Sequence, residues 1–130
     1  GSETIDPDST DCTIDLRAEV RDESGSCSSC NSGDYITVVG VIENSCTQAL
    51  TYRSEKDCLV SNFDVYNTLA GSTAQYPMTC PDEILLESLE PGNSVTQTRP
   101  AGRLSAGSYE LTVQFEDEER TSRTLSFTVE

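Results

Sequence analysis

The sequence predicts a small all-β domain, an antiparallel β-sandwich of about eight or nine strands held together by disulfides. Three observations lead to this fold class. Short runs of alternating apolar and polar residues are typical of strands with one buried face. Turn residues separate these runs at intervals of roughly 8–12 positions, as in β-sandwiches. The chain of 130 residues has the length of one domain, and its six cysteines are an even number.

Residues 1–11 are predicted to form a flexible N-terminal linker, and residues 12–130 the single domain. The linker is polar and contains Pro7 together with three aspartates. Gly1 and Ser2 have the character of a scar left by recombinant expression. Such a scar is compatible with an export signal or a lipid anchor that was trimmed away.

The predicted strands follow one another at short intervals. From Ile14 to Val20, apolar residues alternate with charged ones, which predicts a half-buried strand. Residues 35–42 are apolar on both faces, as a central strand requires. Residues 84–89 follow Pro81 and two acids that would suit a helical turn, and we favour a strand or an irregular edge there. The other predicted strands are residues 50–53, 59–66, 73–79, 94–98, 109–115 and 125–129.

Turn signals separate these strands. Pro91-Gly92-Asn93 has proline and glycine at the positions that a type II turn requires. Residues 67–71 are predicted to turn the middle hairpin, and residues 116–119 the last one.

Two acidic segments offer carboxylates to a cation. Residues 6–11 contain a fragment of a calcium loop, but the glycine and the terminal acid of an EF-hand are missing. Residues 116–119 are four consecutive acids, and charged turns of this kind are usually solvated. We therefore expect no metal and no cofactor.

The cysteines indicate an oxidising compartment. An even number in a short chain without histidine predicts a disulfide framework, which persists in secreted, periplasmic or cell-surface proteins. Zinc is the alternative, but a second CxxC motif and a histidine pair are both missing from the sequence. No apolar stretch approaches the roughly 20 residues of a membrane span.

Strand register ranks the possible disulfide pairings of the middle hairpin. In an antiparallel pair, one register places Cys58 opposite Cys80. The same register places Tyr66 opposite Ser72, where the loop closes. A Cys58–Cys80 disulfide would then clamp the open end of the hairpin.

The first hairpin gives a similar result. Its register places Cys12 opposite Cys46 at the base and brings Cys27 and Cys30 together at the tip. Six cysteines allow about 15 connectivities. Among these we predict Cys12–Cys46, Cys27–Cys30 and Cys58–Cys80.

The charge excludes several classes of partner. The chain has 23 acidic residues against seven arginines and one lysine, a formal charge of −15. Nucleic acids and anionic membranes require a basic surface, which this composition does not supply. Because the acids are spread along the whole chain, we favour solubility as the reason for this charge over electrostatic steering towards a basic partner.

The sequence argues against catalysis. Without histidine there is no serine or cysteine triad, and Lys56 is the only lysine for a dyad. Cys27-Ser28-Ser29-Cys30 has the spacing of a redox pair, but a reactive CxxC lies at a helix N-terminus, and none is predicted here. We interpret it as a structural disulfide, with a periplasmic redox module as the alternative.

Four short stretches, taken in order and spacing, resemble the BsuPI-type intracellular proteinase inhibitor family. They lie at residues 41–44, 62–67, 89–94 and 106–111, and the resemblance covers about residues 35–129. It implies an immunoglobulin-like β-sandwich and inhibition of a subtilisin-like serine protease. The family works inside the cell, whereas the cysteines of this chain indicate export, and the N-terminal hairpin lies outside the matched region.

A candidate inhibitory loop follows from physical requirements. An inhibitor presents a rigid, extended and exposed segment, often beside a disulfide. The loop formed by Asn67, Thr68, Leu69, Ala70 and Gly71 meets this description, with Leu69 as the apolar anchor. The other interpretation is a plain turn whose Leu69 packs against the sandwich, and we favour it. The Cys27–Cys30 tip is a second candidate without an apolar anchor.

These observations lead to one leading hypothesis and one main alternative. The first is a non-catalytic, exported binding domain that inhibits a protease. The alternative is a cell-envelope accessory or adhesion domain that recognises protein or glycan through loops or a sheet edge.

Overall fold

The computed structural model describes residues 12–130, and the predicted linker at residues 1–11 lies outside the described residues. The described chain is all-β. Its strands are β1 (Asp15–Asp22), β2 (Gly25–Ser26), β3 (Ser29–Cys30), β4 (Ile36–Glu43), β5 (Leu50–Ser54), β6 (Val60–Asn67), β7 (Ser72–Pro77), β8 (Leu85–Leu89), β9 (Ser94–Gly102), β10 (Gly107–Phe115) and β11 (Ser122–Val129).

Two sheets form the layers of a sandwich. One has the strand order β2-β1-β4-β9, and the other has β3-β11-β10-β6-β7. All of these pairs are antiparallel except the short parallel pair between β11 and β3. This division of the strands is that of an immunoglobulin-like sandwich, so the predicted fold class is confirmed. A separate antiparallel ribbon consists of β5 and β8.

Tyr109 carries a further mark of this fold. It lies near the start of β10, and its hydroxyl donates a hydrogen bond to the Ser105 carbonyl at 2.6 Å. Its ring stacks on Phe127 with 5.4 Å between the centroids. A tyrosine that bonds back to the chain a few residues upstream is the tyrosine corner of immunoglobulin-like domains.

The predicted strands are present with shifted ends. The central strand is β4, which pairs with β1 on one side and β9 on the other. Residues 84–89 contain β8, so the strand interpretation is the correct one there. β9 extends to Gly102, beyond the predicted residue 98, because it lies at a sheet edge where Pro100 needs no outer partner. β2 and β3, two residues each, were not predicted, because their turn-rich sequence has no alternation.

Side chains from both sheets meet in one core. Alternate residues of β6, β10 and β11 point inwards, and β4 is buried on both faces. The largest fully buried side chains include Phe63, Phe115, Ile36, Ile42, Leu89 and Leu111.

The structure joins the six cysteines as Cys12–Cys46, Cys27–Cys30 and Cys58–Cys80, the pairs expected from strand register. In the first hairpin, Asp15 pairs with Glu43. Extending the same register by three residues, before Asp15 and after Glu43, places Cys12 opposite Cys46, as predicted.

The register of the middle hairpin differs from the prediction by one residue. Tyr66 pairs with Thr73 and not with Ser72. The pairing then shifts by one residue before the disulfide. Two backbone hydrogen bonds show the shift: the Met78 N–H donates to the Ser61 carbonyl, and the Asp57 N–H donates to the Pro81 carbonyl. Cys58 therefore faces Cys80 only beyond this irregularity.

The fully buried Asn44 links β4 to the ribbon. Its Nδ2 donates to the carbonyls of Gln48 and Leu89, each at 2.9 Å. Its Oδ1 accepts from the Cys46 backbone N–H at 2.9 Å. One side chain thus satisfies three backbone groups where β4 ends.

We expect Asn44→Ala to lower the free energy of unfolding by roughly 2 kcal/mol, because buried backbone groups lose their partners. Urea denaturation measures this loss. Asn31→Ala, at an exposed position, is the matched control and should change stability by less than about 0.5 kcal/mol. Equal stability of the two variants would contradict the role assigned to Asn44.

No helix in the described part of the chain is long and apolar enough to cross a membrane.

Candidate functional site

Residues 67–71, called here the Leu69 loop, join β6 to β7 at one end of the sandwich. The segment after β3 and the connection between β9 and β10 lie at the same end. Thr68 attaches the loop to β10, because its backbone N–H and its Oγ1 both donate to the Ser108 carbonyl, at 3.1 and 3.0 Å. The loop is therefore held by a neighbouring strand.

Asn67 sets the shape of the Leu69 loop. Its Oδ1 accepts hydrogen bonds from the backbone N–H groups of Leu69 and Ala70, both at 3.1 Å. Its carbonyl accepts from the Gly71 N–H at 2.8 Å. Gly71 has φ = +70°, a conformation that glycine adopts without strain. These bonds organise the loop before any partner arrives.

Leu69 projects from the loop into solvent, with 89% of its surface exposed. The favoured interpretation, in which Leu69 packs against the sandwich, is therefore wrong. The hydrogen bonds of Asn67 and Thr68 fix the backbone of the loop, and the Leu69 side chain projects beyond it. An exposed leucine on a constrained loop is available to an apolar pocket of a partner.

The loop is compact and not extended. Residues 68–71 form a single turn closed by the bond from the Gly71 N–H to the Asn67 carbonyl. The expectation of an extended segment is therefore wrong, while those of rigidity and exposure agree with the structure. The asparagine side chain causes the difference, because it bonds the two N–H groups that an extended chain would direct outwards.

Two shallow hollows flank the Leu69 loop. One, of about 240 Å³, lies between Thr68 and the backbone around Ser28 and Ser29. The other, of about 270 Å³, lies between Asn67 and Arg103. The first two residues of the loop thus each line one of these hollows.

Cys27–Cys30 is the second candidate at this end of the sandwich. The disulfide does not close the tip of the β1–β4 hairpin as predicted. β2 folds back on β1, and β3 crosses to the other sheet to pair with β11. The disulfide therefore spans the passage of the chain from one sheet to the other, and its Cys30 is buried in the core.

The surroundings of Cys27–Cys30 do not favour redox chemistry. Along residues 12–130 no helix is present to lower a thiol pKa. Asp22 lies close to both sulfurs, and its negative charge disfavours a thiolate. The cluster of Asp22 with the two cysteines offers one free ligand, a carboxylate, because the sulfurs are bonded to each other.

Asp22 itself organises this segment. The backbone N–H of Asn31 donates to its Oδ2 at 3.0 Å, and that of Ser24 to its Oδ1 at 2.8 Å. These two bonds, that of Asn31 first, lower the pKa of the carboxyl group. Asp22 therefore acts as a charged acceptor that shapes the turn.

One contact at this end has no signal in the sequence. The guanidinium of Arg103 lies 4.4 Å from the centre of the Tyr35 ring, and its Nε donates to the Gly33 carbonyl at 3.0 Å. The pair forms because β4 and β9 are neighbours. This cation–π contact keeps an exposed tyrosine in place beside the loops.

No protein-family model matches this chain, and no curated protein matches it. Among solved structures, it is similar to the CARDB domain of the PF1109 protein from Pyrococcus furiosus, with 13% identity over 93% of this chain and 97% of that one, at a TM-score of 0.43. A β-glucosidase from Erythrobacter marinus has 10% identity and a TM-score of 0.45. A β-glucosidase from Listeria innocua has 13% identity and a TM-score of 0.44. Each β-glucosidase match covers 92% of this chain but only 16% of the enzyme.

Proposed function

We propose that this chain is a non-catalytic binding domain of an oxidising, extracytoplasmic compartment, and that it binds a protein partner with the Leu69 loop. The carrying observation is a leucine that is 89% exposed on a loop shaped by internal hydrogen bonds. Burying such a side chain in a partner contributes about 1.5–3 kcal/mol. The organised loop loses little conformational entropy on binding, so most of this gain is retained.

Charge and disulfides support the same proposal. A formal charge of −15 accelerates encounter with a basic partner and disfavours acidic ones. Three disulfides in a domain of this size are typical of secreted or periplasmic proteins. The Cys58–Cys80 disulfide closes the hairpin that carries the loop.

The specific form of this proposal is inhibition of a subtilisin-like serine protease, as the resemblance to the BsuPI-type family suggests. Leu69 would enter the primary specificity pocket. Because the loop is compact, it would act as a wedge and not as an extended substrate-like strand.

Titration of subtilisin with the protein tests this form. We expect stoichiometric loss of protease activity, and an inhibition constant at least tenfold weaker for Leu69→Ala, because the apolar anchor is removed. Leu86→Ala, which removes another exposed leucine at the opposite end, is the matched control and should inhibit like the parent protein. Both variants should keep their stability within about 0.5 kcal/mol.

Two results would count against the proposal at different levels. Full protease activity in molar excess of the protein would remove the inhibitor form and leave the binding domain. A native partner isolated with the parent protein that binds Leu69→Ala equally well would remove the role of the Leu69 loop.

A cell-envelope accessory domain is the second candidate, and the ribbon favours it. Ile84, directly before β8, and Leu86 on β8 are both exposed. Within the described chain, β8 pairs only with β5, so its other edge is open to an added strand. Loss of adhesion or envelope binding in Leu86→Lys, with Leu69→Ala unaffected, would favour this function over the first.

A further inference from the structure

The first of the two hollows beside the Leu69 loop, called here the hydroxyl hollow, is lined mainly by side chains with hydroxyl groups. Its volume is about 240 Å³. Six of its nine lining residues are serines or threonines, namely Ser28, Ser29, Thr68, Ser108, Ser126 and Thr128. The other three are Tyr109, Glu110 and Phe127.

The alternation of side chains along β10 and β11 places the hydroxyl hollow on the outer face of its sheet. Tyr109 and Phe127 point into the core, where both are buried and their rings stack. Successive residues of a strand point to opposite faces. The lining residues on either side of these two therefore point outwards, and they are Ser108, Glu110, Ser126 and Thr128.

Hydrogen bonds within the protein hold the walls of the hydroxyl hollow in place. Thr68 Oγ1 donates to the Ser108 carbonyl at 3.0 Å. The Thr128 N–H donates to the Ser28 carbonyl at 2.8 Å, and Thr128 Oγ1 lies 3.4 Å from Ser29 Oγ. Ser28 and Ser29 also lie between the two cysteines of one disulfide. The hollow is therefore organised before a ligand arrives, which limits the entropy lost on binding.

Glu110 and Ser126 bring groups without a protein partner to this hollow. The two residues lie opposite each other on β10 and β11, and both are exposed. Among residues 12–130, neither the Glu110 carboxylate nor the Ser126 hydroxyl takes part in a hydrogen bond or an ion pair. A carboxylate accepts hydrogen bonds, and a hydroxyl both donates and accepts them. Both groups are therefore available to a ligand that carries donors.

The lining of the hydroxyl hollow favours an uncharged ligand with several hydroxyl groups. It contains no arginine or lysine, and Glu110 would repel an anion. Its single carboxylate is too few for a divalent cation of the calcium class, which selects several oxygen ligands. It contains no aliphatic side chain to anchor a protein partner. The hydroxyl groups of a saccharide donate to a carboxylate and exchange hydrogen bonds with serine and threonine.

An aromatic side chain lies beside the hollow on the same face of the sheet. Tyr66 on β6 pairs with Glu110 on β10, which places their Cβ atoms about 5 Å apart. Tyr66 is 37% exposed. Its ring offers an apolar face, and the C–H groups of a sugar ring form a complementary apolar surface. A disaccharide with one ring in the hollow would extend its other ring towards Tyr66.

We propose that the hydroxyl hollow binds one ring of a neutral saccharide. Glu110 accepts hydrogen bonds from the saccharide hydroxyl groups, Ser126 exchanges hydrogen bonds with them, and Tyr66 contacts the next ring. The inference goes beyond the protein partner proposed for the Leu69 loop. It does not depend on that proposal, because Leu69 does not line the hollow.

The probes are three neutral disaccharides, cellobiose, maltose and N,N′-diacetylchitobiose, each titrated into the isotope-labelled, disulfide-intact protein and followed by NMR. We expect at least one of them to bind saturably. Its dissociation constant should be on the order of 1 mM, because a few hydrogen bonds made in competition with water give weak affinity. The backbone amide signals that shift most should belong to residues 108–110 and 126–128, which line the hollow.

Four single variants, all at positions that are exposed, locate the site. Glu110→Gln should weaken binding of the disaccharide about tenfold, because a neutral acceptor replaces a charged one. Ser126→Ala and Tyr66→Ala should each weaken it several-fold, because each removes one contact. Glu83→Gln, which neutralises an acid before β8, is the matched control for charge and should bind like the parent protein.

The proposal is overturned if none of the three disaccharides binds saturably up to about 50 mM, some fiftyfold above the expected constant. It is also overturned if Glu110→Gln binds with the parent's affinity, because the saccharide then binds elsewhere. Equal weakening in Glu83→Gln and Glu110→Gln would overturn it as well, since the effect then follows the overall charge. Weakening confined to the Glu110, Ser126 and Tyr66 variants supports it.

Discussion

Gly40→Val should abolish folding or lower the free energy of unfolding by more than about 3 kcal/mol. Gly40 lies in the middle of β4, where side chains of the facing sheet approach its backbone closely. A Cβ atom at this position would lie 2.6 Å from Cγ2 of Val60, 3.1 Å from Cγ1 of Val113 and 3.4 Å from Cε1 of Phe115. All three neighbours are fully buried, so none can move aside without disturbing the core.

A graded series measured by urea denaturation tests the cause. Gly40→Ala should cost roughly 1–3 kcal/mol, less than Gly40→Val, because it adds only the Cβ atom. Ala74→Val, on the exposed edge strand β7, is the control for added volume and should be close to neutral. In Gly40→Ala/Val60→Ala, the clashing methyl group is gone, so the double variant should be more stable than the sum of the single effects predicts.

Additive effects in this double variant would show that the clash with Val60 is not the cause. A Gly40→Val protein as stable as the parent would contradict the close approach of the sheets.

Removing the Cys58–Cys80 disulfide as Cys58→Ala/Cys80→Ala should lower the free energy of unfolding by about 3 kcal/mol. The disulfide closes a segment with a sequence separation of 22. In the chain-entropy model, removing the disulfide raises the conformational entropy of the unfolded chain, which stabilises the unfolded state by that amount. Removing Cys12–Cys46, with a sequence separation of 34, should lower the free energy of unfolding slightly more for the same reason.

Cys27→Ala/Cys30→Ala is the control for loop length. Its separation is only 3, so the same model gives about 2 kcal/mol. Urea denaturation of the three double variants measures how much each disulfide contributes to the free energy of unfolding. If the loss for Cys27–Cys30 exceeds the other two, the passage of the chain between the sheets, and not loop entropy, determines the contribution of the disulfides.

The disulfide pairing was predictable because antiparallel register is a property of position along the chain. The first hairpin keeps one register from Asp15 to Arg21, and its extension joins Cys12 to Cys46. The middle hairpin shows the limit of the argument. Its ladder shifts by one residue near Ser61, where β6 also has a bulge against β10, and bulges are set by neighbouring strands.

The candidate loop was located from sequence, but its conformation was not. Turn residues predict a loop at residues 67–71, and an exposed turn is a local property. The loop is attached to β10 through Thr68 and Ser108, which are far apart in sequence. We favoured a packed leucine from the sequence, whereas Leu69 is exposed in the structure.

By itself, the sequence determined the all-β class, most strand positions and the three disulfide pairs, because alternation and spacing act between neighbours along a strand or across one hairpin. Only the tertiary structure decided the close approach at Gly40 and the outward direction of Leu69. It also decided the burial of Tyr52 and Glu116, since a run of four acids reads as a solvated turn. Each of these features depends on how the two sheets and the ribbon pack together. This packing brings together side chains that are far apart in the sequence, so no local pattern predicts their contact.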